Sequence, residues 1–181
     1  MKRVQRILAL VLATTLGLAA CGGGDAAVKE HFASGNELAR TGEFDKAIDE
    51  YKAALQEEPN NVSVLTNLGV AYYNTGQLDE AIAQYEKALE TAPDDADIHS
   101  NLAAAYVQQE ELDEALSEYQ RAIELQPDLE QAHYGLGVVY MQQGKNDEAV
   151  QAFEKFAEFD SGNDPRASEQ AQQYLKELKG Q

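Results

Sequence analysis

The sequence predicts an all-α fold: a right-handed solenoid of four helical hairpins, closed by one further helix. Three observations lead there. Offsetting the chain against itself by 34 residues brings like onto like. Ala47, Ala81, Ala115 and Ala149 fall at one position, Tyr51, Tyr85, Tyr119 and Phe153 at a second, and Asp45, Asp79, Asp113 and Asp147 at a third. Gly35, Gly69 and Gly137 share a fourth position with Ala103, while Leu68, Leu102, Leu136 and Tyr72, Tyr106, Tyr140 form two more rows. The second observation is punctuation: Pro59, Pro93 and Pro127 close three of the units, and Gly42, Gly76 and Gly144 mark turns inside three of them. The third is that each unit divides into two amphipathic helical stretches.

The first 20 residues stand apart from this pattern. Lys2, Arg3 and Arg6 make a cationic start, Ile7 to Leu18 is almost wholly apolar, and Leu18-Ala19-Ala20 precede Cys21. This is the build of a secretion signal. A membrane-crossing helix needs about 20 apolar residues, and this run stops short of that before a Gly-Gly-Gly stretch. Residues 21–27 are expected to form a tether reaching on the order of 15 Å.

The hairpins are expected at 28–61, 62–95, 96–129 and 130–163. Small residues such as Gly69 and Ala81 let the two helices of a unit approach, while Leu68, Tyr72 and Tyr85 fill the space around them. Proline cannot donate the next helical hydrogen bond, so Pro59, Pro93 and Pro127 end the second helices, and Asn61 and Asp95 can cap the first helix of the next unit. The fourth unit departs from the others: Phe156 stands where they carry Ala54, Ala88 and Ala122, and Ser161 where proline is expected. Residues 164–181 then read as a capping helix and tail. Asp164 caps it, Pro165 sits in its first turn, and Ala167, Ala171, Tyr174 and Leu175 form its apolar side, with Glu169, Gln172, Lys176 and Glu177 in water.

This spacing of residues resembles the tetratricopeptide repeat, with its W-x-x-L-G-x-x-Y…A-x-x-x-F…P pattern over 34 residues. The resemblance covers nearly all of residues 28–163 and implies a non-enzymatic scaffold whose first helices line a concave groove for a segment of another protein. Carried over by repeat position, the groove holds Phe32 and Asn36 from the first unit and Asn67, Val70 and Tyr73 from the second. The third contributes Asn101, Ala104 and Val107, the fourth Tyr134, Val138 and Met141. Asparagine amides can bond a peptide backbone, and the apolar and aromatic side chains supply pockets. Some family members grip a chaperone's C-terminal carboxylate through basic residues. Here Phe32, Asp97 and Asn101 occupy those positions, so such a ligand would meet no compensating charge.

Leu18-Ala19-Ala20-Cys21 resembles the lipobox of bacterial lipoproteins, which implies a diacylglyceryl group on the Cys21 sulfur and an envelope location. Gly22, rather than aspartate, resembles the outer-membrane sorting choice in a host with two membranes; in a single-membrane host the chain would face outward from the cell surface. Lipoproteins of this build resemble assembly factors of type IV pili and secretin channels, and adaptors of peptidoglycan enzymes.

Charge and motif content narrow the function classes. The net charge is −18, and removal of Lys2, Arg3 and Arg6 leaves 11 basic against 32 acidic side chains, or −21. Such a surface repels nucleic acid and anionic headgroups, so membrane attachment is assigned to the lipid. One cysteine allows no internal disulfide. His31, His99 and His133 all occupy the family's Trp position. Successive hairpins set equivalent residues about 10 Å apart, too far to share a metal. Asp160-Ser161-Gly162-Asn163-Asp164 has calcium-like composition but lacks the sixth-place glycine and closing glutamate of an EF-hand loop, and reads as a turn. The rival reading, a solute- or calcium-binding lipoprotein, requires a closed polar pocket. No nucleophile elbow, phosphate loop or HExxH motif occurs, so no cofactor and no catalytic residue is expected.

Overall fold

The computed structural model describes residues 23–180. The leader, Cys21 and Gly22 lie outside them. Nine helices are described and no strand. They are α1 (Gly23–Arg40), α2 (Phe44–Glu57), α3 (Val62–Asn74), α4 (Leu78–Thr91), α5 (Ala96–Gln108), α6 (Leu112–Leu125), α7 (Glu130–Gln142), α8 (Asn146–Phe159) and α9 (Pro165–Leu178). Consecutive helices pair as hairpins, and each hairpin packs on the next. Among the described residues, no helix is long and apolar enough to cross a membrane.

The hairpin turns share one hydrogen-bond scheme. Glu43 N–H donates to the Leu38 carbonyl, Gln77 to Tyr72, Glu111 to Tyr106 and Lys145 to Tyr140, at 2.9, 2.9, 3.0 and 2.9 Å. This six-residue closure needs one left-handed residue just past the helix end. Gly42, Gly76 and Gly144 supply it at φ of 81°, 76° and 73°, and in the third hairpin Glu110 is held there at φ 63°. A side chain in that region is disfavoured by about 1–2 kcal/mol. Glu110→Gly is therefore expected to stabilise the chain by up to about 1 kcal/mol, read as a higher urea midpoint.

Between hairpins both expected caps form, and the third joint has none. Asn61 Oδ1 accepts from Val64 N–H at 3.1 Å and Asp95 Oδ1 from Ile98 N–H at 3.2 Å, whereas Leu129 offers α7 no side-chain cap. Asp164 accepts from the Arg166 and Ala167 amides, and Pro165 occupies the first turn of α9. Ala171 is buried, Tyr174 and Leu175 are half-buried against the last hairpin, and Glu169, Gln172, Lys176 and Glu177 are exposed.

The N-terminal end departs from expectation. Gly23 to Ala27, read as part of a tether, are the opening turns of α1. The reason is propagation: Val28 is 5% exposed and anchors the helix, so each residue added ahead of it gains a bond without a new nucleus. Ala26 and Ala27 are strong helix formers, and Asp25 suits the positive helix end.

The core explains why the glycine row exists. A Cβ on Gly35 would stand 2.6 Å from the Tyr51 ring, one on Gly69 2.5 Å from Tyr85, and one on Gly137 2.7 Å from Phe153. Only a bare backbone admits these rings, which are almost fully buried within their own hairpins. The third hairpin differs, because its first helix carries Ala103 instead. Tyr119 there directs its ring tip across to Gly135 of the following hairpin, into the space a Cβ would take. Outside the core, Gln109 Nε2 donates to Asp79 at 2.5 Å and Gln143 Nε2 to Asp113 at 3.1 Å, giving the repeated aspartate row a role in joining neighbouring hairpins.

Candidate functional site

The first helices α3, α5 and α7 are nearly devoid of charge: α3 has no ionisable acid or base, α5 has Asp97 and His99, and α7 has Glu130 and His133. A cavity of about 660 Å³ opens between α5, α7 and α9, with Tyr73 of α3 reaching its edge. Of the residues expected in the groove, Tyr73, Asn101, Ala104, Val107, Tyr134 and Val138 line it. Spacings of three and four residues along α5 and α7 bring these side chains to one face.

The other expected residues are placed elsewhere. Asn67 Nδ2 and the Tyr51 hydroxyl both donate to Asn36 Oδ1, each at 2.8 Å. That oxygen has spent both lone pairs, leaving the Asn36 amide hydrogens and the Asn67 oxygen for a ligand. Phe32 lies at the opposite end, beside Val28, Lys29 and Ser63 in a separate hollow of about 350 Å³. Val70 and Met141 are half-buried against the core and line neither hollow.

Repeat position did not reveal the contributions from the capping helix and from Tyr119. Asp160, Asn163, Asp164, Arg166 and Gln170 close the C-terminal side of the cavity. Tyr134 is fixed between them and the core: its hydroxyl donates to Gln170 Oε1 at 2.9 Å, and its ring meets Phe153 and Phe156 edge-on at 5.9 and 5.4 Å. Tyr119 forms part of the lining from behind, through the gap that Gly135 leaves. The sequence carried a signal for this: Gly135 stands where the two preceding units have Asn67 and Asn101.

Burial pushes the Tyr119 phenol well above the usual tyrosine range, and burial likewise raises Tyr134. Both stay protonated at neutral pH. The nearby Ser168 hydroxyl and the Gly162 amide, which donates to Oδ1 at 2.9 Å, hold Asp160 below the ordinary carboxylate range. Glu130 accepts from the amide and hydroxyl of Ser161 at 2.8 and 3.1 Å. The Asp160–Asp164 segment thus spends much of its polar capacity shaping the turn into α9.

The histidines brace the hairpins. His31 Nδ1 lies 2.7 Å from Glu50 and His99 Nδ1 2.5 Å from Glu118, while Nε2 of His133 lies 2.8 Å from the Pro127 carbonyl. Among the described residues no group of three or more potential metal ligands converges.

Stacked helical hairpins with an open, largely apolar groove define a protein-interaction scaffold, and comparison with known proteins agrees. Descriptions of the tetratricopeptide repeat match residues 38–105 and 130–163, and one of the TPR repeat matches 105–144. The crystal structure of MamA protein is 32% identical, covering 86% of this chain and 84% of that one, with a TM-score of 0.72. The chain belongs to the tetratricopeptide repeat family. Two further structures share the fold: YrrB, described as a TPR protein with an unusual peptide-binding site (24% identity, 89% and 84% coverage, TM-score 0.66), and pilF of Pseudomonas aeruginosa (23%, 86% and 69%, 0.74). No curated protein matches the chain.

Proposed function

We propose that this chain is a lipid-anchored adaptor of the bacterial envelope that holds a segment of a partner protein in its groove. The observation that carries the binding half is the cavity between α5, α7 and α9, where amide and aromatic side chains surround an apolar floor at the scale of a short peptide. The anchoring half is supported by the cationic start, apolar run and Ala-Ala-Cys21 of the leader. A thioether-linked diacylglycerol brings two acyl chains, enough for stable attachment where one chain binds reversibly. On this reading the chain works by positioning and performs no turnover. A role in assembling pili or secretin channels and a role in gathering peptidoglycan enzymes differ only in the partner.

The anchor is tested by fractionation: Cys21→Ser is expected to move the chain from salt-washed membranes to the soluble fraction, and persistence in the membranes would refute lipidation. The groove is tested in intact cells with a photo-crosslinking residue at Val107. One dominant adduct with an envelope protein is expected, reduced about tenfold when Tyr73 and Asn101 are both changed to alanine without loss of helicity. An adduct indifferent to that double change would move the binding surface elsewhere; its identity separates the pilus from the peptidoglycan reading.

A further inference from the structure

We infer that the pocket at the α9 end of the groove receives one cationic side chain, an arginine or lysine carried by the partner segment. This rests on the groove reading above and names the chemistry of its ligand. Three features of the pocket converge on it.

The first is where charge lies. The first helices α3, α5 and α7 carry no lysine or arginine, and along most of their length they are electrically neutral. At the α9 end Glu130, Asp160 and Asp164 line the pocket against the single cation Arg166. Neutral donors orient these carboxylates: the Ser161 amide and hydroxyl, and the amides of Gly162, Arg166 and Ala167. Such bonds leave the negative charge in place. The N-termini of α7 and α9 each offset about half a charge, which still leaves the pocket negative. The surrounding field has the same sign, since residues 62–129 hold 14 acidic side chains and only Lys87 and Arg121 as bases. Arg121 is already paired with Asp94 and Glu124.

The second feature is aromatic. Tyr73, Tyr119 and Tyr134 come from three different hairpins to line this one cavity. Tyr119 presents its hydroxyl tip, so ring-face attraction for a cation, stronger where water is partly excluded, falls to Tyr73 and Tyr134. The third is an unpartnered polar atom. Tyr119 is only 5% exposed as a residue and lines the cavity; no buried side-chain oxygen among the described residues lacks a partner, so its hydroxyl, which no described side chain bonds, opens onto the cavity. Of the other two tyrosines lining the cavity, Tyr134 is already bonded to Gln170. A neutral phenol oxygen can accept from a guanidinium or ammonium N–H. An aliphatic ligand side chain would seal that hydroxyl without a partner, and an acidic one would add a fourth carboxylate.

The test uses the isotope-labelled full chain in detergent and two capped hexapeptides, Ala-Asn-Ala-Arg-Ala-Asn and its neutral twin with citrulline for arginine. The arginine peptide is expected to shift the amide resonances of Gly135, Val138 and Gln170 in a saturable manner. The citrulline peptide should bind about tenfold more weakly, and Glu130→Gln should weaken the arginine peptide about threefold more than the citrulline peptide. Equal binding of the two peptides at these amides refutes the cation preference alone and leaves the groove reading standing. Shifts confined to the acidic second helices, or no shift with the arginine peptide, overturn the inference. If no groove amide responds to either peptide and the Val107 crosslink also fails, the groove reading falls with it.

Discussion

Replacing Phe153 with alanine is expected to destabilise the C-terminal third of the rod by about 3–5 kcal/mol, the range for emptying a fully buried aromatic site. Phe153 has no exposed surface, lies on bare Gly137, and meets the rings of Tyr134 and Tyr174 at 5.9 and 5.3 Å. Its loss removes the surface that seats both α7 and α9. The described core divides into three neighbouring clusters, and Phe153 belongs to the last, with Ala149, Phe156 and Ala171. In a stacked array each unit feels chiefly its neighbours, so the damage should be local. Urea unfolding of Phe153→Ala should resolve an early transition, with amide exchange protection lost in α7, α8 and α9 and retained in α3 and α4. Uniform loss of protection in one transition would show that the rod unfolds as a single block. Because Tyr134 rests on Phe153, the same variant should also lose the α9-end pocket.

Gly135→Ala is the second large effect, and its sign runs against helix propensity. Alanine favours a helix interior over glycine by about 1 kcal/mol, so an open site would be stabilised. Here the Tyr119 ring tip and hydroxyl already occupy the place of the new methyl. Forcing a group into a filled core is destabilising by about 1–3 kcal/mol, and the steric term prevails. The origin of the crossing is Ala103: a ring placed as Tyr85 is would stand about 2.5 Å from that Cβ, by analogy with Gly69. Tyr119 therefore leans toward the next hairpin. Ala103→Gly should open the usual seat, so the double variant Ala103→Gly with Gly135→Ala is expected to recover at least half of the loss. A thermal or urea double-mutant cycle reads the coupling. Strict additivity would mean that the two positions do not share one ring.

These expectations show which parts of the molecule could be read from residues in order. The 34-residue register, the turns at Gly42, Gly76 and Gly144, and the caps at Asn61, Asp95 and Asp164 were legible because each depends on chemistry within a few residues. A left-handed turn needs glycine, and an asparagine or aspartate oxygen reaches an amide three places on. The opening of α1 was misread for a related reason. Glycine-rich composition suggests a tether, but the packing of Val28 decides how far back the helix runs.

The groove was legible by repeat position and incomplete by geometry. Six of its expected residues share a cavity, while Asn36 and Asn67 bind one another, Phe32 occupies a separate hollow, and Val70 and Met141 pack against the core. By itself, the sequence determined the family, the number of hairpins and the near-absence of charge along α3, α5 and α7, because periodicity and composition are additive along the chain. Tertiary structure alone decided that Tyr119 crosses between hairpins and that α9 walls one end of the groove. Those outcomes depend on whether two surfaces distant in sequence can occupy the same few ångströms, and no local pattern encodes that competition.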